Sequence, residues 1–535
     1  MASDYKTAKE SWVSDLTGST VIHINFVSSV ALYSILLYSS IVSRVPPSWS
    51  KKFLGQWIIL VFPLLLSMTV YANIPAFLLF VLLIPASIAP FFPRQYVSSP
   101  LPSQNPMPSS PQSPQISPLP AVTIYRAHMM LMTILGILAV DFPVFPRALA
   151  KCETFGVSLM DLGVGSFVFS QGLVSAAPLL KNPSHLSAPA VPKILTITRK
   201  SLPIIFLGLV RVLLVKGTSY PVGTLSFAKN KLIYLSAEQE HESEYGTHWN
   251  FFITLALLPI LQVVLHPVVK HVPVALLGIL VAFAHQLTLS FLGMHQYVLH
   301  APRVGIISAN KEGLVSLAGM WFCQITGYLG LHLLGLSTGT IILPPSSKYF
   351  SRELRKLGHS RRNSDAQYIA NALSAPREIN HTAITLFSYT FVWWTLFYAM
   401  KYLGVGVGVS RRMVNVQYIF WVAGFNTSFI LGYLLLHMAF HPPPPVYSQQ
   451  SKLKVSANRI DIDLYQTLPV PPLFEAINKN GLVLFLVANV ATGLVNLVIP
   501  TMYTPDPWAM IILGVYSLVL SSFAWLFRDK RLIRL

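Results

Sequence analysis

Hydrophobic residues fall in long runs along this chain, and short polar stretches separate the runs. An α-helix needs about 20 mostly apolar residues to cross a bilayer, with a range of about 17 to 25. The pattern predicts an all-α polytopic membrane protein with about 13 transmembrane helices, several of them rather short. The predicted spans are 21–42, 54–70, 74–88, 124–140, 159–180, 202–215, 249–265, 274–292, 314–334, 382–399, 418–440, 481–499 and 508–527.

The composition supports a membrane protein independently of this pattern. Of the 535 residues, 53% are hydrophobic and 11% are charged, whereas a soluble protein has roughly 25% charged residues. One soluble core cannot absorb such an excess of apolar surface, so much of that surface must face lipid. We therefore expect one multi-spanning membrane domain over residues 1–535.

The basic residues predict how the chain is oriented. The net charge of +19 comes from Lys and Arg scattered through short loops, which excludes a basic nucleic-acid-binding domain. One set of alternate loops carries about twice as many of these residues as the other, and the positive-inside rule places that set in the cytosol. The N-terminus is then lumenal and the C-terminus cytosolic, and an odd number of spans likewise puts the two termini on opposite sides. Residues 1–19 are polar, so we expect no cleavable signal peptide before the first span.

Three cytosolic loops are expected to lack regular structure. Loop 93–120 is dense in Ser and Pro and has low complexity, loop 344–378 is basic and rich in Ser, and loop 441–475 begins with a run of four prolines after His441. A linker role is the simplest interpretation, and docking or phosphorylation sites are the alternatives.

The short loops on the lumenal side hold most of the candidate chemistry. Asp141 stands at the end of the fourth span, and two prolines, Arg147 and Lys151 follow it. Asp161 and Ser166 place polar groups inside the fifth span, where an ionisable side chain usually faces a cavity or a partner. From these residues alone, Asp141 and Lys151 are either reactive groups or an ion pair that closes the helix hairpin.

A second polar stretch precedes the seventh span. Four glutamates surround His241, and His248 and Trp249 come shortly before the apolar run. Carboxylates and imidazoles are metal ligands, but their spacing here matches no known metal motif, so we predict no metal site. The two histidines could instead act as general bases, because histidine titrates near neutral pH.

Other polar residues lie within spans or near their lumenal ends. Arg411 and Arg412 could contact phosphate groups, while Asn426 and Asn496 either line a polar cavity or bond across helices at roughly 0.6 kcal/mol each. Arg211 inside the sixth span needs a partner, which Asp161 or a substrate phosphate would supply.

A series of sequence blocks occurs in order from residue 9 to residue 497. The blocks are Lys9-Glu10 with WVSDLTGST, DFPVFPRALAKCETFGVSLMDLGVGSFVF, EYGTHWNFF, NKEGLVSL, SRRMVNVQYIFWVAGFNT and LFEAINKNGLVLFLVANVATGLVNL. This ordered set resembles the PIG-W family, whose fungal members are called GPI-anchored wall transfer proteins. The resemblance covers nearly the whole chain.

The resemblance implies a specific reaction. A fatty acyl group, typically palmitoyl, would pass from acyl-CoA to the inositol 2-hydroxyl of glucosaminyl-phosphatidylinositol during GPI-anchor biosynthesis. The site would face the lumen of the endoplasmic reticulum, with acyl-CoA as co-substrate, no bound cofactor, and no protein partner specified. The family's proposed catalytic acid and lysine match Asp141 and Lys151, and the DFPxFPR pattern between them is intact.

On this interpretation Asp141 is the base for the inositol hydroxyl, and Lys151 holds Asp141 ionised or stabilises the oxyanion. The predicted substrate-binding residues are Arg147, Ser158, Asp161, Ser166, Phe167, Arg211, His241, Tyr245, His248, Trp249, Asn250, Phe251, Arg411, Arg412, Asn415 and Asn426. Cys152 and Cys323 are expected to be free thiols, and an acyl-cysteine at Cys152 is a minor alternative. The alternative functions are a secondary transporter or another lipid-handling membrane protein, or a scaffold. Polar groups concentrated at one face suit chemistry on a lipid head group better than transport.

Overall fold

The chain is almost entirely helical in its computed structural model. The structure describes Ala8 and residues 11–12, 14–45, 52–92, 116–217, 251–296, 311–359, 366–440 and 470–533, and no β-strand occurs among them. Of residues 210–217, 311–323, 357–359 and 366–367, the backbone alone is described.

The helices are numbered here in chain order. They are α1 Val21–Val42, α2 Phe53–Met68, α3 Pro75–Ile88, α4 Pro120–Ala139, α5 Leu159–Lys181, α6 Ala190–Gly217, α7 Phe251–Val264, α8 Val274–Phe291, α9 Lys311–Ile342, α10 Tyr349–His359, α11 Ala366–Leu373, α12 Ile379–Tyr402, α13 Val416–Phe440, α14 Pro472–Lys479, α15 Gly481–Val498 and α16 Asp506–Leu526.

The predicted fold class is confirmed, and each predicted span coincides with a helix. Nine helices in the described part of the chain are long and apolar enough to cross a membrane, and α2, α3 and α7 are shorter apolar helices. Helix α6 carries Lys193, Arg199 and Lys200 in its first half, which lowers its apolar character. The number of 13 spans and their orientation stay predictions.

Capping residues and prolines determine where many helices begin. The Thr20 hydroxyl accepts a hydrogen bond from the backbone N–H of His23 at 3.2 Å and caps α1. Proline occupies the first turn of α3, α4, α14 and α16, where its missing N–H costs no helical hydrogen bond.

Helices α5 and α9 form the closest helix pair, because glycines remove the side chains between them. A Cβ atom at Gly172 would collide with the carbonyl oxygen of His332, and one at Gly335 would collide with that of Phe169. A Cβ atom at Gly339 would likewise collide with the backbone of α5. Small residues at such an interface let two helix backbones approach directly, which is a common packing mode in membranes.

One end of the helix bundle is formed by the loops that carry Asp141 and Arg411, and we name it the Asp141 end. There the backbone N–H of Ser19 donates to the carbonyl of Val157 at 2.7 Å, and that of Gly156 donates to Val409 at 2.8 Å. Three chain segments that are far apart in sequence are thereby joined.

The opposite end carries many of the basic residues, and we name it the basic end. Arg377 there donates to the carbonyl oxygens of Ile342 and Ser117, each at 2.8 Å. The hydroxyl of Tyr349 donates to Leu180 at 3.3 Å. These bonds join chain segments that are far apart in sequence at the basic end, and the assignment of the Asp141 end to the lumen stays a prediction.

The prediction that loop 344–378 lacks regular structure is wrong, because α10 and α11 lie within it. Apolar residues recur there at helical spacing among the basic ones, so each helix has one face to bury. Tyr349 and Phe350 of α10, and Ile369 and Leu373 of α11, are buried.

The boundary of the third loop also shifts, because α14 begins at Pro472 and not after residue 475. Most of loops 93–120 and 441–475 lies outside the described residues.

Candidate functional site

Asp141 lies just after the end of α4, and its side chain is buried at the Asp141 end. Its Oδ2 accepts a hydrogen bond from Nδ2 of Asn496 at 2.8 Å. Asn496 belongs to the last turn of α15, and its Oδ1 accepts a bond from the hydroxyl of Thr501 at 3.2 Å. The carboxylate is therefore held in a fixed direction between α4 and α15, with an exposed fraction of only 4%.

The turn after Asp141 is organised by Arg147. Its Nη2 donates to the carbonyl oxygens of Val140 at 2.6 Å and Phe145 at 3.2 Å. The guanidinium also lies over the ring of Trp12, 3.9 Å from the ring centroid, in cation–π geometry. Arg147 thus positions the loop that contains Asp141, and its predicted contact with substrate stays a prediction.

Lys151 follows in the same loop, after the short helical turn Arg147–Leu149, and it is half-buried. The structure therefore brings Asp141 and Lys151 to one end of the bundle. Whether they form a catalytic pair or a structural ion pair stays open, as it was in the sequence.

Asp161 and Arg411 form a buried ion pair close to this loop. Nε of Arg411 lies 2.5 Å from Oδ1 of Asp161, and the backbone N–H of Cys152 donates to Oδ2 at 2.9 Å. Asp161 is 1% exposed. It stands in the first turn of α5, whose N-cap Ser158 accepts a bond from the Asp161 N–H at 3.1 Å. The helix dipole also favours a negative charge at this position.

Arg411 is thus the cation that pairs with Asp161 among the described residues. The prediction that Arg211 has Asp161 or a substrate phosphate as its partner stays a prediction. The side chain of Arg211 lies outside the described part of the chain. Asp161 itself faces a charged partner, as expected for an ionisable side chain inside a span.

The loop that presents Arg411 is held by Asn415. Its Oδ1 accepts bonds from the backbone N–H groups of Ser410 and Tyr418, at 3.2 and 3.1 Å. Two valines in this loop have left-handed backbone, Val407 at φ +63° and Val414 at φ +49°, a conformation that β-branched residues rarely adopt. Such strain often accompanies functional sites, and Asn415 thus positions Arg411.

The electrostatics favour a permanent charge on Arg411. Burial acts to lower the pKa of its guanidinium, but the charge of Asp161 outweighs burial and raises that pKa above its ordinary value. The hydroxyl of Tyr418 donates to the backbone carbonyl of Asp161 at 2.7 Å, and Tyr328 lies close enough to both charges to interact with them.

Cys152 is a buried free thiol beside the same carboxylate. Burial raises its pKa first, and the charge of Asp161 raises it further. Because the thiolate is the reactive form, this environment argues against an acyl-cysteine intermediate. The side chain of Cys323 lies outside the described residues.

Aromatic side chains line the bundle below these charges. Phe167 of α5 and Phe252 of α7 both contact the ring of Phe485, with centroids 6.4 and 6.1 Å apart. Phe251 contacts Tyr328 at 6.4 Å. Phe167 and Phe251 thus pack against aromatic rings of neighbouring helices, and their predicted contact with substrate stays a prediction.

The remaining predicted residues are placed differently from one another. Ser166 is buried, and its hydroxyl has no hydrogen-bond partner among the described residues. Arg412 is half-buried, and its carbonyl accepts a bond from Gln324 at 3.1 Å. Asn426 lies about 16 Å along α13 from Asn415, where Tyr125 donates to it at 2.6 Å. Asn426 thus bonds across helices, away from Arg411.

The histidine-rich stretch cannot be placed. His241, Tyr245, His248, Trp249 and Asn250 lie outside the described residues. Within the described ranges, no three His, Cys, Asp or Glu side chains come together in a way that could hold a metal ion.

Sequence reasoning missed several members of the site. Asn496 stood out only as an amide inside a span, and nothing pointed to Asp141 as its partner. Tyr328 and Tyr418 gave no signal, because tyrosines are common in apolar helices.

Comparison with known proteins gives a consistent set of relatives. Residues 5–527 match the family described as GWT1. The chain is 36% identical to GPI-anchored wall transfer protein 1 of Aspergillus oryzae, over 98% of each chain. It is 33% identical to the protein of that name from Saccharomyces cerevisiae, over 100% of each. It is also 40% identical to that of Cryptococcus neoformans var. grubii, over 77% of this chain, but spans only 63% of that relative's length.

Proposed function

We propose that this chain, which belongs to the GWT1 family, acts in GPI-anchor biosynthesis as an acyl-CoA-dependent inositol O-acyltransferase. The acceptor is the inositol 2-hydroxyl of glucosaminyl-phosphatidylinositol, and the acyl group is palmitoyl. The membrane is that of the endoplasmic reticulum, with the Asp141 end towards the lumen. The relatives named GPI-anchored wall transfer protein 1 support the GPI pathway as the setting.

The observation that carries the catalytic part is the buried, oriented carboxylate of Asp141. A general base needs a defined position within hydrogen-bond reach of the hydroxyl that it deprotonates. Asn496 donates to Oδ2 of this carboxylate at 2.8 Å and so fixes the direction of the group. Its position at the end of the bundle suits a lipid head group whose tails stay in the bilayer.

In the proposed reaction, Asp141 removes the proton from the inositol hydroxyl as the hydroxyl oxygen attacks the thioester carbonyl carbon. A carbon–oxygen bond forms, and the carbonyl oxygen becomes an oxyanion, which the ammonium of Lys151 stabilises. The intermediate then collapses, the carbon–sulfur bond breaks, and coenzyme A leaves as a thiolate. That thiolate takes the proton from Asp141, so the enzyme returns to its starting state.

The pair Asp161–Arg411 is a positioning element in this proposal. It joins the first turn of α5 to the loop before α13, and the backbone N–H of Cys152 ties the Lys151 loop to the same carboxylate. Asp141 is held between α4 and α15, whereas the Lys151 loop is tied to Asp161 of α5. Displacement of the Asp161–Arg411 pair would therefore move Lys151 relative to Asp141.

The test is acyl transfer from labelled palmitoyl-CoA to glucosaminyl-phosphatidylinositol by the purified protein in lipid nanodiscs. Asp141→Asn keeps the side-chain size and removes the base, so we expect kcat to fall by about 100-fold or more. Lys151→Met should lose activity comparably. Asp506→Asn is the matched control, because Asp506 is an exposed carboxylate at the start of α16.

The possible results separate the alternatives. Product from wild type with full activity in folded Asp141→Asn would keep the enzyme and make Asp141 structural. Absence of product from folded wild type would reject the transferase and favour a transporter or another lipid-handling protein.

A further inference from the structure

Four basic side chains meet at the basic end, where α5, α6 and α7 come together, and we name them the His266 cluster. His185 lies in the short turn Pro183–Ser187, Lys193 in the first turn of α6, and His266 and Lys270 directly after α7. The imidazole centroids of His185 and His266 are 6.3 Å apart. The ammonium of Lys193 donates to the carbonyl oxygen of His185 at 2.9 Å.

Two members of this cluster are buried although they are polar. Lys193 is 5% exposed and His266 is 2% exposed. Both ring nitrogens of His266 lack a hydrogen-bond partner among the described residues. An unpaired buried polar group costs free energy, and most such groups in proteins have a partner or a ligand. The ammonium of Lys193 has three N–H donors, of which the carbonyl of His185 takes one.

The charges around His266 have one sign. Burial lowers the pKa of His266 to about 4, and Lys193, His185 and Lys270 lower it further, so its imidazole is neutral at physiological pH. Helix α10 packs near His185 and carries a buried carboxylate, Glu353. That carboxylate is already paired with Lys356 at 2.9 Å. The described surroundings of His266 thus favour an anion.

We propose that the His266 cluster binds phosphate, and that the phosphate belongs to coenzyme A of the acyl donor arriving at the basic end. This assignment rests on the proposed acyl-CoA-dependent function. Lys193 supplies a point charge with three N–H donors, and the neutral imidazole of His266 donates one N–H to a phosphate oxygen. Lys270 is exposed and adds positive charge at the rim.

A seam of buried and half-buried polar side chains favours coenzyme A over a phospholipid head group. It follows the interface of α5, α7 and α9 from the His266 cluster towards the Asp141 end. Its members are Gln262 and His332, which bond to each other at 2.8 Å, then Gln171, Thr254 and Ser166. Gln171 donates to the carbonyl of Leu255 at 2.6 Å and so joins α5 to α7.

Several atoms of this seam lack a hydrogen-bond partner among the described residues. They are Oε1 of Gln171, Oγ1 of Thr254 and Oγ of Ser166. The pantetheine arm of coenzyme A carries two amides that could pair with such atoms, whereas a lipid tail has no polar group to offer. The seam leads to Tyr328, which lies beside Arg411, so the arm would direct the thioester towards the proposed site.

The test is direct binding, measured by calorimetry on the purified full chain in phosphatidylcholine nanodiscs. The probes are coenzyme A, 3′-dephospho-coenzyme A and pantetheine. Wild type should bind coenzyme A most tightly and pantetheine most weakly. Lys193→Gln and His266→Leu should each weaken coenzyme A binding about tenfold or more. Lys193→Arg keeps the charge and should stay within a few-fold of wild type.

Lys52→Gln is the matched control, because it removes one positive charge from an exposed lysine outside the cluster. Unaltered thermal unfolding of each variant shows that its fold is intact. Equal coenzyme A affinity in wild type, Lys193→Gln and His266→Leu would overturn the proposal. Binding of short-chain phosphatidic acid at this cluster, without coenzyme A binding, would overturn the assignment to coenzyme A.

This assay separates failure of the site from failure of the function, because it involves no acyl transfer. If wild type acylates inositol but both variants bind coenzyme A normally, the site inference fails and the function stands. If the variants lose coenzyme A binding but wild type acylates no inositol lipid, the phosphate site stands and the proposed acceptor fails.

Discussion

Removal of the charge on Asp161 is the sharpest structural perturbation that this fold offers. Asp161→Asn preserves the size of the side chain and leaves the guanidinium of Arg411 in place. The N–H of Cys152 can still donate to the amide oxygen. The change therefore isolates the charge interaction between Asp161 and Arg411.

The expected cost follows from how deeply the two groups are buried. Breaking a buried ion pair on one side costs about 3–5 kcal/mol, because an uncompensated charge remains. The side chain of Arg411 is 23% exposed and that of Asp161 is 1% exposed. Water can therefore partly solvate the remaining guanidinium, and we expect Asp161→Asn to lower the free energy of unfolding by about 3 kcal/mol. Arg411→Met should cost at least as much, because it leaves Asp161, the more deeply buried partner, as an uncompensated charge.

A double variant tests whether loss of both charges together is tolerated better than loss of one. Asp161→Leu with Arg411→Met removes both charges, and apolar replacement of a buried pair is often nearly neutral. Loss of the hydrogen bond from Cys152 adds about 1 kcal/mol, so the double variant should be more stable than either single charge removal. The free energy of unfolding is measured by denaturant titration in mixed micelles, with Asp506→Asn as the exposed control. A cost below about 1 kcal/mol for Asp161→Asn, or a double variant as unstable as the sum of the singles, would refute this reasoning.

Three further predictions use other parts of the fold. Gly335→Ala drives a Cβ into a carbonyl oxygen of α5 and should cost about 1–3 kcal/mol in unfolding titrations, whereas Gly163→Ala, which meets no atom within 4 Å, should be nearly neutral. In a Cys323→Ser variant, the Cys152 thiol should react slowly with N-ethylmaleimide at pH 8. Its pKa is raised by burial and then by the nearby carboxylate, so the rate should still be rising with pH between pH 8 and 10; a rate that levels off above about pH 9 would indicate an ordinary thiol pKa. Tyr125→Phe removes the bond to Asn426 and should cost about 0.6 kcal/mol with normal acyl transfer; loss of transfer would move Asn426 into the site.

The helices were predictable because the bilayer imposes a length and a composition on each span. Even α2 and α3, which are short, were recognisable as apolar runs bounded by polar residues. Helix α10 was not recognised, because its apolar residues are few and lie among basic ones. A helical period was present, because Tyr349, Phe350 and Glu353 share one buried face. The basic residues around them made this period hard to recognise in the sequence.

The site was only partly predictable. Asp141 and Asp161 stood out because carboxylates are costly in or near a membrane. Their partners did not, because Asn496 reaches Asp141 through the packing of the apolar helix α15, and Arg411 reaches Asp161 from the loop before α13. In such helices the hydrophobic pattern does not say which face meets which neighbour, so pairing has to come from the three-dimensional structure.

The distance in sequence between the two members of the buried ion pair has a consequence for how the protein is made. Arg411 follows Asp161 by 250 positions, and a ribosome adding about 5–20 residues per second needs about 12–50 s to cover that interval. During this time α5 is already synthesised while its acid lacks the cation that neutralises it. The backbone bond between Gly156 and Val409 forms equally late. The Asp141 end is therefore completed only after α13 arrives, so truncation before α13 should leave an inserted but unfinished bundle that membrane quality control can recognise by its exposed acid.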